Sequence, residues 1–140
     1  MKASDLMIGD LVYAKTINGK KIARVCLVTD NFVAAEATDG SEYTGKQFDG
    51  VFSCIELIPL TPEILEKNGF ILCENCTSRW MEDFISHSVF ITAPEGYASI
   101  TVYVKVAHGH RRIMDDFQLH GIHQLQHALR LAGIKKEIEV

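Results

Sequence analysis

The chain has no long hydrophobic run, no excess of basic charge, no glycine-rich phosphate loop and no dense set of cysteines. Each absence removes a class of protein. Met1-Lys2-Ala3-Ser4-Asp5-Leu6 carries no apolar stretch of signal-peptide length. The stretch from Val51 to Leu60 is broken by Ser53, Glu56 and Pro59, far short of the roughly 20 apolar residues a membrane helix needs. Lys plus Arg number 14 against 18 Asp plus Glu, a formal charge of -4, so the global basic footprint of a nucleic-acid binder is missing. Zinc-protease helices and serine elbows are missing too. These exclusions predict a soluble cytoplasmic protein with no membrane partner. The four cysteines, Cys26, Cys54, Cys73 and Cys76, are too sparse for a secreted disulfide scaffold and read as reduced thiols.

What is present suits a globular fold. In 140 residues, 47% hydrophobic, area scaling predicts burial of roughly two thirds of the unfolded surface, enough for a core without staples. After a helical turn expected at Ser4 to Met7, the first sixty residues read as short strands. Leu11 to Ile17 and Lys20 to Thr29 flank Asn18-Gly19, a pair suited to a tight hairpin. Phe32 to Ala37, an Asp39-Gly40 turn, Glu42 to Tyr43 and Val51 to Ile58 follow. Five strands in so short a span predict a small curved antiparallel barrel of the SH3-like kind.

Thr61 to Gly69 obeys the end rules of a helix: Thr61 can cap, Pro62 suits the first helical position, Glu63 suits the positive end, and Gly69 can stop it. It is expected to link two halves, with Leu60 and Phe70 pinning it to the barrel. Beyond it, Thr77 to Ile85 suits either helix or strand, and strand is preferred. Ile85, His87, Val89 and Ile91 alternate on one face. After a Pro94-Glu95-Gly96 turn, Ala98, Ile100, Val102, Val104 and Val106 do the same, leaving Ser99, Thr101, Tyr103 and Lys105 on a wet face. From Gly121 to Ala132 the period turns helical, with Ile122, Leu125, Leu129 and Ala132 on one stripe and Gly133 as the stop. Ile134 to Val140 suits an edge strand or a tail.

Three segments carry a resemblance: Leu6-Met7-Ile8-Gly9-Asp10-Leu11-Val12, the run Ile58-Pro59-Leu60-Thr61-Pro62-Glu63-Ile64-Leu65-Glu66-Lys67-Asn68-Gly69-Phe70, and Ile122-His123-Gln124-Leu125-Gln126. In this order they resemble a family of small uncharacterised bacterial proteins, often encoded in prophage or mobile-element regions. The resemblance implies no activity and no ligand set, and residues 71 to 120 match it only loosely.

Candidate chemistry lies mostly in that looser region. Cys73-Glu74-Asn75-Cys76 has the spacing that lets two thiolates share one zinc ion, with His108 and His110, or His123 and His127, as the further ligands. The preferred reading is two unpaired thiols at a strand end, and a redox dithiol is disfavoured by antiparallel neighbours. His120, His123 and His127 share one side of the last helix, beside Arg130, as an exposed polar face. Lys105, Arg111 and Arg112, with Tyr103 nearby, could contact nucleic-acid phosphate, although Asp115 and Asp116 largely cancel their charge. Lys15, Lys20, Lys21 and Arg24 make a second weak patch. Glu82-Asp83 and Asp115-Asp116 place neighbouring carboxylates on opposite faces of a strand, a poor acid/base arrangement. A cysteine paired in space with a histidine is the one catalytic set that composition leaves open.

The expectation is an α+β protein, mainly antiparallel β. A small SH3-like N-terminal barrel, residues 1–60, is joined by a short helix to an antiparallel sheet covered by a C-terminal helix. Helix, sheet and C-terminal helix, residues 61–140, are expected to form one compact unit. The expected role is a non-enzymatic binding or scaffold protein without cofactor, acting on a protein partner or by self-association through the tail and Tyr103. The alternative is a zinc-binding accessory protein contacting nucleic acid.

Overall fold

The computed structural model describes residues 6–48, 51–52, 54–93 and 98–140. The Ser4 to Met7 turn therefore falls largely outside the described residues, and the Pro94-Glu95-Gly96 turn wholly so. Among the described residues the architecture is α+β, with two antiparallel sheets and two helices. The chain divides into two units at Ile58 and Pro59.

The first unit contains β1 (Leu11–Thr16), β2 (Gly19–Thr29), β3 (Phe32–Ala37), β4 (Glu42–Phe48), β5 (Val51–Phe52) and β6 (Ile55–Leu57). They form one sheet in the order β5-β4-β3-β2-β1-β6. The last strand returns to lie beside the first, but β5 and β6 remain separate edges, so the sheet is open rather than the closed SH3-like barrel expected. Strand alternation sends Val12, Ala14, Ala23, Val25, Val33, Ala35 and Ala37 to one side, where they cluster with Leu6 and Ile55. Alanine at four of those seven positions keeps the side chains of this face short, so the strands can curl over it closely. Cys26 sits at a register shift between Val25 and Leu27 and is exposed.

The β1–β2 hairpin forms as expected, with its tip displaced by one residue. Thr16 pairs with Gly19, so Ile17 and Asn18 are the loop, and Gly19 alone takes the positive angle, at φ 120°. The Thr16 hydroxyl closes the turn, donating to the Gly19 carbonyl at 2.9 Å and accepting from the Asn18 amide at 3.2 Å. In the segment before β1, the Asp10 carboxylate accepts from the Met7 amide at 2.7 Å and is fully buried. Asp10 thus folds the approach to β1 and belongs to the architecture.

The second unit contains α1 (Pro62–Lys67), β7 (Ile71–Leu72), β8 (Arg79–Asp83), β9 (His87–Thr92), β10 (Ala98–Val106), β11 (Gly109–Leu119) and α2 (Ile122–Leu131). The sheet is a meander in the order β11-β10-β9-β8-β7. Thr77 to Ile85 resolves to strand: Trp80 and Met81 pair with β9, and Trp80 is buried. Ile85 falls between β8 and β9 and is fully exposed, so the apolar alternation of β9 starts after it. Thr61 caps α1, its hydroxyl accepting from the Ile64 amide at 3.4 Å. Both helices end in the same way. Gly69 and Gly133 take positive φ, each amide returns to the second-last helical carbonyl, and the amides of Phe70 and Ile134 reach back to Leu65 and Leu129.

The inner sheet face contributes Val89, Ile91, Ile100 and Val102 to the interior, and α2 contributes Ile122, Leu125, Ala128 and Leu129; all eight are fully buried. The last residues are neither an edge strand nor a loose tail. The Asn68 amide group substitutes for a strand partner, donating to the Glu139 carbonyl at 2.7 Å and accepting from its amide at 2.8 Å. Lys67 donates to the Val140 carbonyl at 2.8 Å, Lys136 pairs with Glu82 at 2.7 Å, and Ile134 and Ile138 are buried.

Candidate functional site

The outer face of the second sheet brings aromatic, cationic and hydroxyl groups together. Its composition follows from strand alternation: where Trp80 and Glu82, Val89 and Ile91, and Ile100, Val102 and Val104 point inward, their neighbours point out. Those neighbours are Arg79, Met81 and Asp83 on β8, Ser88 and Phe90 on β9, and Thr101, Tyr103 and Lys105 on β10. Ser99, expected beside them on the wet face, is buried near the start of β10. Residues directly opposite in an antiparallel pair share a side, so the register builds rows. Met81, Phe90 and Thr101 form one row; Asp83, Ser88, Tyr103 and Arg112 form the next; Lys105 faces His110.

A shallow groove of about 420 Å³ runs across this face, lined by Arg79, Met81, Asp83, Ser88, Phe90, Tyr103 and His110. The rings of Phe90 and Tyr103 meet edge to face at 5.7 Å, and the Arg79 guanidinium lies over Phe90 at 4.5 Å. At one end, Asp83 Oδ1 accepts from the Ser88 hydroxyl at 2.6 Å and pairs with Lys105 Nζ at 2.8 Å. Lys105 also donates to the Phe84 carbonyl at 2.7 Å, which fixes its ammonium over the strand. The Lys105 hydrogen bond, followed by that of Ser88, holds the Asp83 carboxyl below its usual range, with the charges of Lys105 and His110 adding to the effect. The groove thus offers two aromatic rings, a thioether and an ordered, neutralised polar end.

Two of the three basic residues singled out in the sequence, Lys105 and Arg112, belong to this face. Arg111 does not: it lies opposite Val104 and so falls on the other side of the sheet. Arg112 is paired with Asp115 at 2.9 Å. The second basic patch is engaged within its own unit: Lys15 and Lys20 both pair with Glu56, Lys21 pairs with Asp39, and Arg24 donates to the Gly9 carbonyl at 2.9 Å. The carboxylates of Glu82 and Asp83 do part, Glu82 turning inward to Lys136 while Asp83 faces the groove.

Of the residues proposed for zinc, Cys73 and Cys76 lie in the turn between β7 and β8. The Cys76 amide donates to the Cys73 carbonyl at 3.1 Å, and Asn75 takes φ 60°, the geometry of a type II turn. Both thiols are half-buried. His108 stands at the β10–β11 tip and His110 in the groove. Among the described residues, no three His, Cys, Asp or Glu side chains gather closely enough to hold a metal ion.

The three histidines do not form one exposed helical face: His120 lies before α2, which starts at Ile122. His120 is exposed, but His123 is only 1% exposed and His127 is half-buried, their rings meeting edge to face at 5.8 Å. The physical reason is the width of the buried side of α2, which extends beyond the apolar stripe to include His123 and Gln126.

Sequence reasoning missed Arg79, Met81, Asp83, Ser88 and Phe90 as site residues. A signal existed for Phe90, a large aromatic out of phase with the alternation of Val89 and Ile91. A second concavity of about 530 Å³ crosses the first sheet beside Ile8, Ile22, Arg24, Cys26, Glu36 and Thr38, but no aromatic ring lines it.

Comparison with known protein families, curated proteins and solved structures returns no significant match. Among the described residues, no helix is long and apolar enough to cross a membrane.

Proposed function

We propose that the protein is a non-enzymatic binding protein whose contact surface is the outer face of the second sheet. The observation that carries this reading is the groove itself. Phe90, Met81 and Tyr103 supply apolar contact area, while Arg79, Asp83, Ser88 and His110 supply oriented polar groups around it. Such a mixture, concave and set on rigid strands, is what recognition sites use. The carboxylate in the groove supports binding over catalysis, because Asp83 is already engaged by Lys105 and Ser88.

A second reading, that the occupant is a single-stranded nucleic acid, is favoured by one observation. Lys105 and Arg112 emerge on the same face as Phe90 and Tyr103, the combination of cations and stacking rings that sheet-face readers employ. Its zinc component rests on the Cys73 and Cys76 thiols alone.

The test is an NMR titration of labelled protein with a short oligothymidylate and, separately, with a panel of extended peptides. Shift changes confined to β8–β11, with the added molecule recovered intact, support the binding reading. Loss of the oligothymidylate effect on raising salt supports the nucleic-acid occupant. Changes centred elsewhere, or chemical conversion of the added molecule, contradict the reading.

A further inference from the structure

The turn between β7 and β8 holds two thiols that the groove does not use. Cys73 and Cys76 stand at its first and last positions, and a turn of this kind keeps those two Cα atoms within about 7 Å of each other. The loop is anchored at its base, where the Cys73 amide donates to the Arg79 carbonyl at 2.8 Å beside the Leu72–Trp80 pair. Glu74 and Asn75 between the cysteines are exposed, whereas both thiols are half-buried and neither is in a disulfide.

We propose that Cys73 and Cys76 of a single chain together bind one Cu(I) ion, a soft monovalent metal. The donor set specifies the ion. Among the described residues no third His, Cys, Asp or Glu side chain gathers with the pair, so the turn offers two thiolates. A structural zinc site takes four protein ligands and a catalytic one three, which leaves zinc short here. Calcium and magnesium take oxygen ligands, so sulfur donors turn them away. Thiolate is a soft donor that selects Cu(I), an ion for which two such ligands suffice. Binding exchanges two S–H bonds for two Cu–S bonds, so each ion taken up releases two protons to the buffer and no oxidation state changes.

The backbone favours this arrangement before any ion arrives. Asn75 takes φ 60°, a left-handed angle that asparagine tolerates and a β-branched residue resists. A residue that makes no bond to the metal therefore sets the spacing of the two that do. Because the turn is one local segment, the site needs none of His108, His110, His123 and His127. This inference is independent of the groove, whose Arg79 takes part in the loop only through its backbone carbonyl. Cys26 and Cys54 lie in the first unit and serve as controls.

The test is an anaerobic titration of the intact, reduced chain with Cu(I) presented as its bicinchoninate complex, read as loss of that complex's colour and in parallel by native mass spectrometry. The expected result is one copper per single chain, with the mass gain reduced by the two protons released. Cys73→Ser and Cys76→Ser should each weaken binding roughly a hundredfold or more, while Cys26→Ser with Cys54→Ser should keep it. Asn75→Gly should keep it too, whereas Asn75→Val, with both cysteines intact, should weaken it roughly tenfold. Unchanged amide shifts of β8 to β11 establish that each variant is folded. Copper left on the competitor, an ion shared between two chains, binding retained by either single serine variant or by Asn75→Val, or binding lost with Cys26 and Cys54 would each overturn the proposal.

Discussion

Asp83 shows how one carboxylate can be fixed by its neighbours without being buried. Its oxygen receives the Ser88 hydroxyl and the Lys105 ammonium, and both favour the ionised form. Because the folded-state pKa lies below the unfolded one, the contribution to stability is present above the ordinary carboxylate range and is lost as pH falls through the lowered value. Replacing Lys105 with Met removes the largest cause, so the Asp83 carboxyl should titrate at a higher pH in that variant. A carbon-detected NMR titration checks this, and an unchanged midpoint would contradict the assignment. At this scale the sequence was only partly legible. The alternation placed Lys105 and Tyr103 on the wet face, as observed, and parts Arg111 from Arg112, but which of the two shares that face needed the register of β11 against β10, which two shifts alter.

At the scale of elements, the signals that were easy to read were those with local causes. Thr61, Pro62 and Gly69 specify both ends of α1 through nearby backbone groups, and the structure places the helix where those residues require. The tip of the first hairpin was displaced because Thr16 supplies its own turn bonds, leaving only Gly19 at a positive angle. His123 and His127 were misread because helical spacing gives the angle between side chains but not how wide a sector is covered, and His120 because the helix starts after it. Burial separates them sharply. Replacing His123 with Ala should cost about 2 kcal/mol or more in unfolding free energy, as loss of a buried ring does. Replacing exposed His120 should change it by no more than about 0.5 kcal/mol. Chemical denaturation of both variants checks the difference; equal, small losses would mean that His123 is solvated.

At the scale of the whole molecule, composition and alternation revealed the α+β class but not closure of the first sheet. Closure depends on whether its outer strands meet, and short segments such as Val51–Phe52 and Ile55–Leu57 carry too little pattern to decide it. The fate of Ile134 to Val140 was equally hidden, since it depends on Asn68 and Glu82, more than fifty positions away along the chain. The site was legible only where alternation was clean. Its β10 half emerged, while its β8 half lay in a segment whose apolar residues also suit a helix.

The proposed binding surface is the outer face of the second sheet and not the hollow of the first. An NMR screen with small aromatic fragments tests it whatever the partner is, because fragments collect where apolar area and oriented polar groups coincide. Shift changes are expected to gather at Met81, Phe90, Tyr103 and His110. Fragments gathered instead beside Ile8, Ile22 and Cys26 would contradict it.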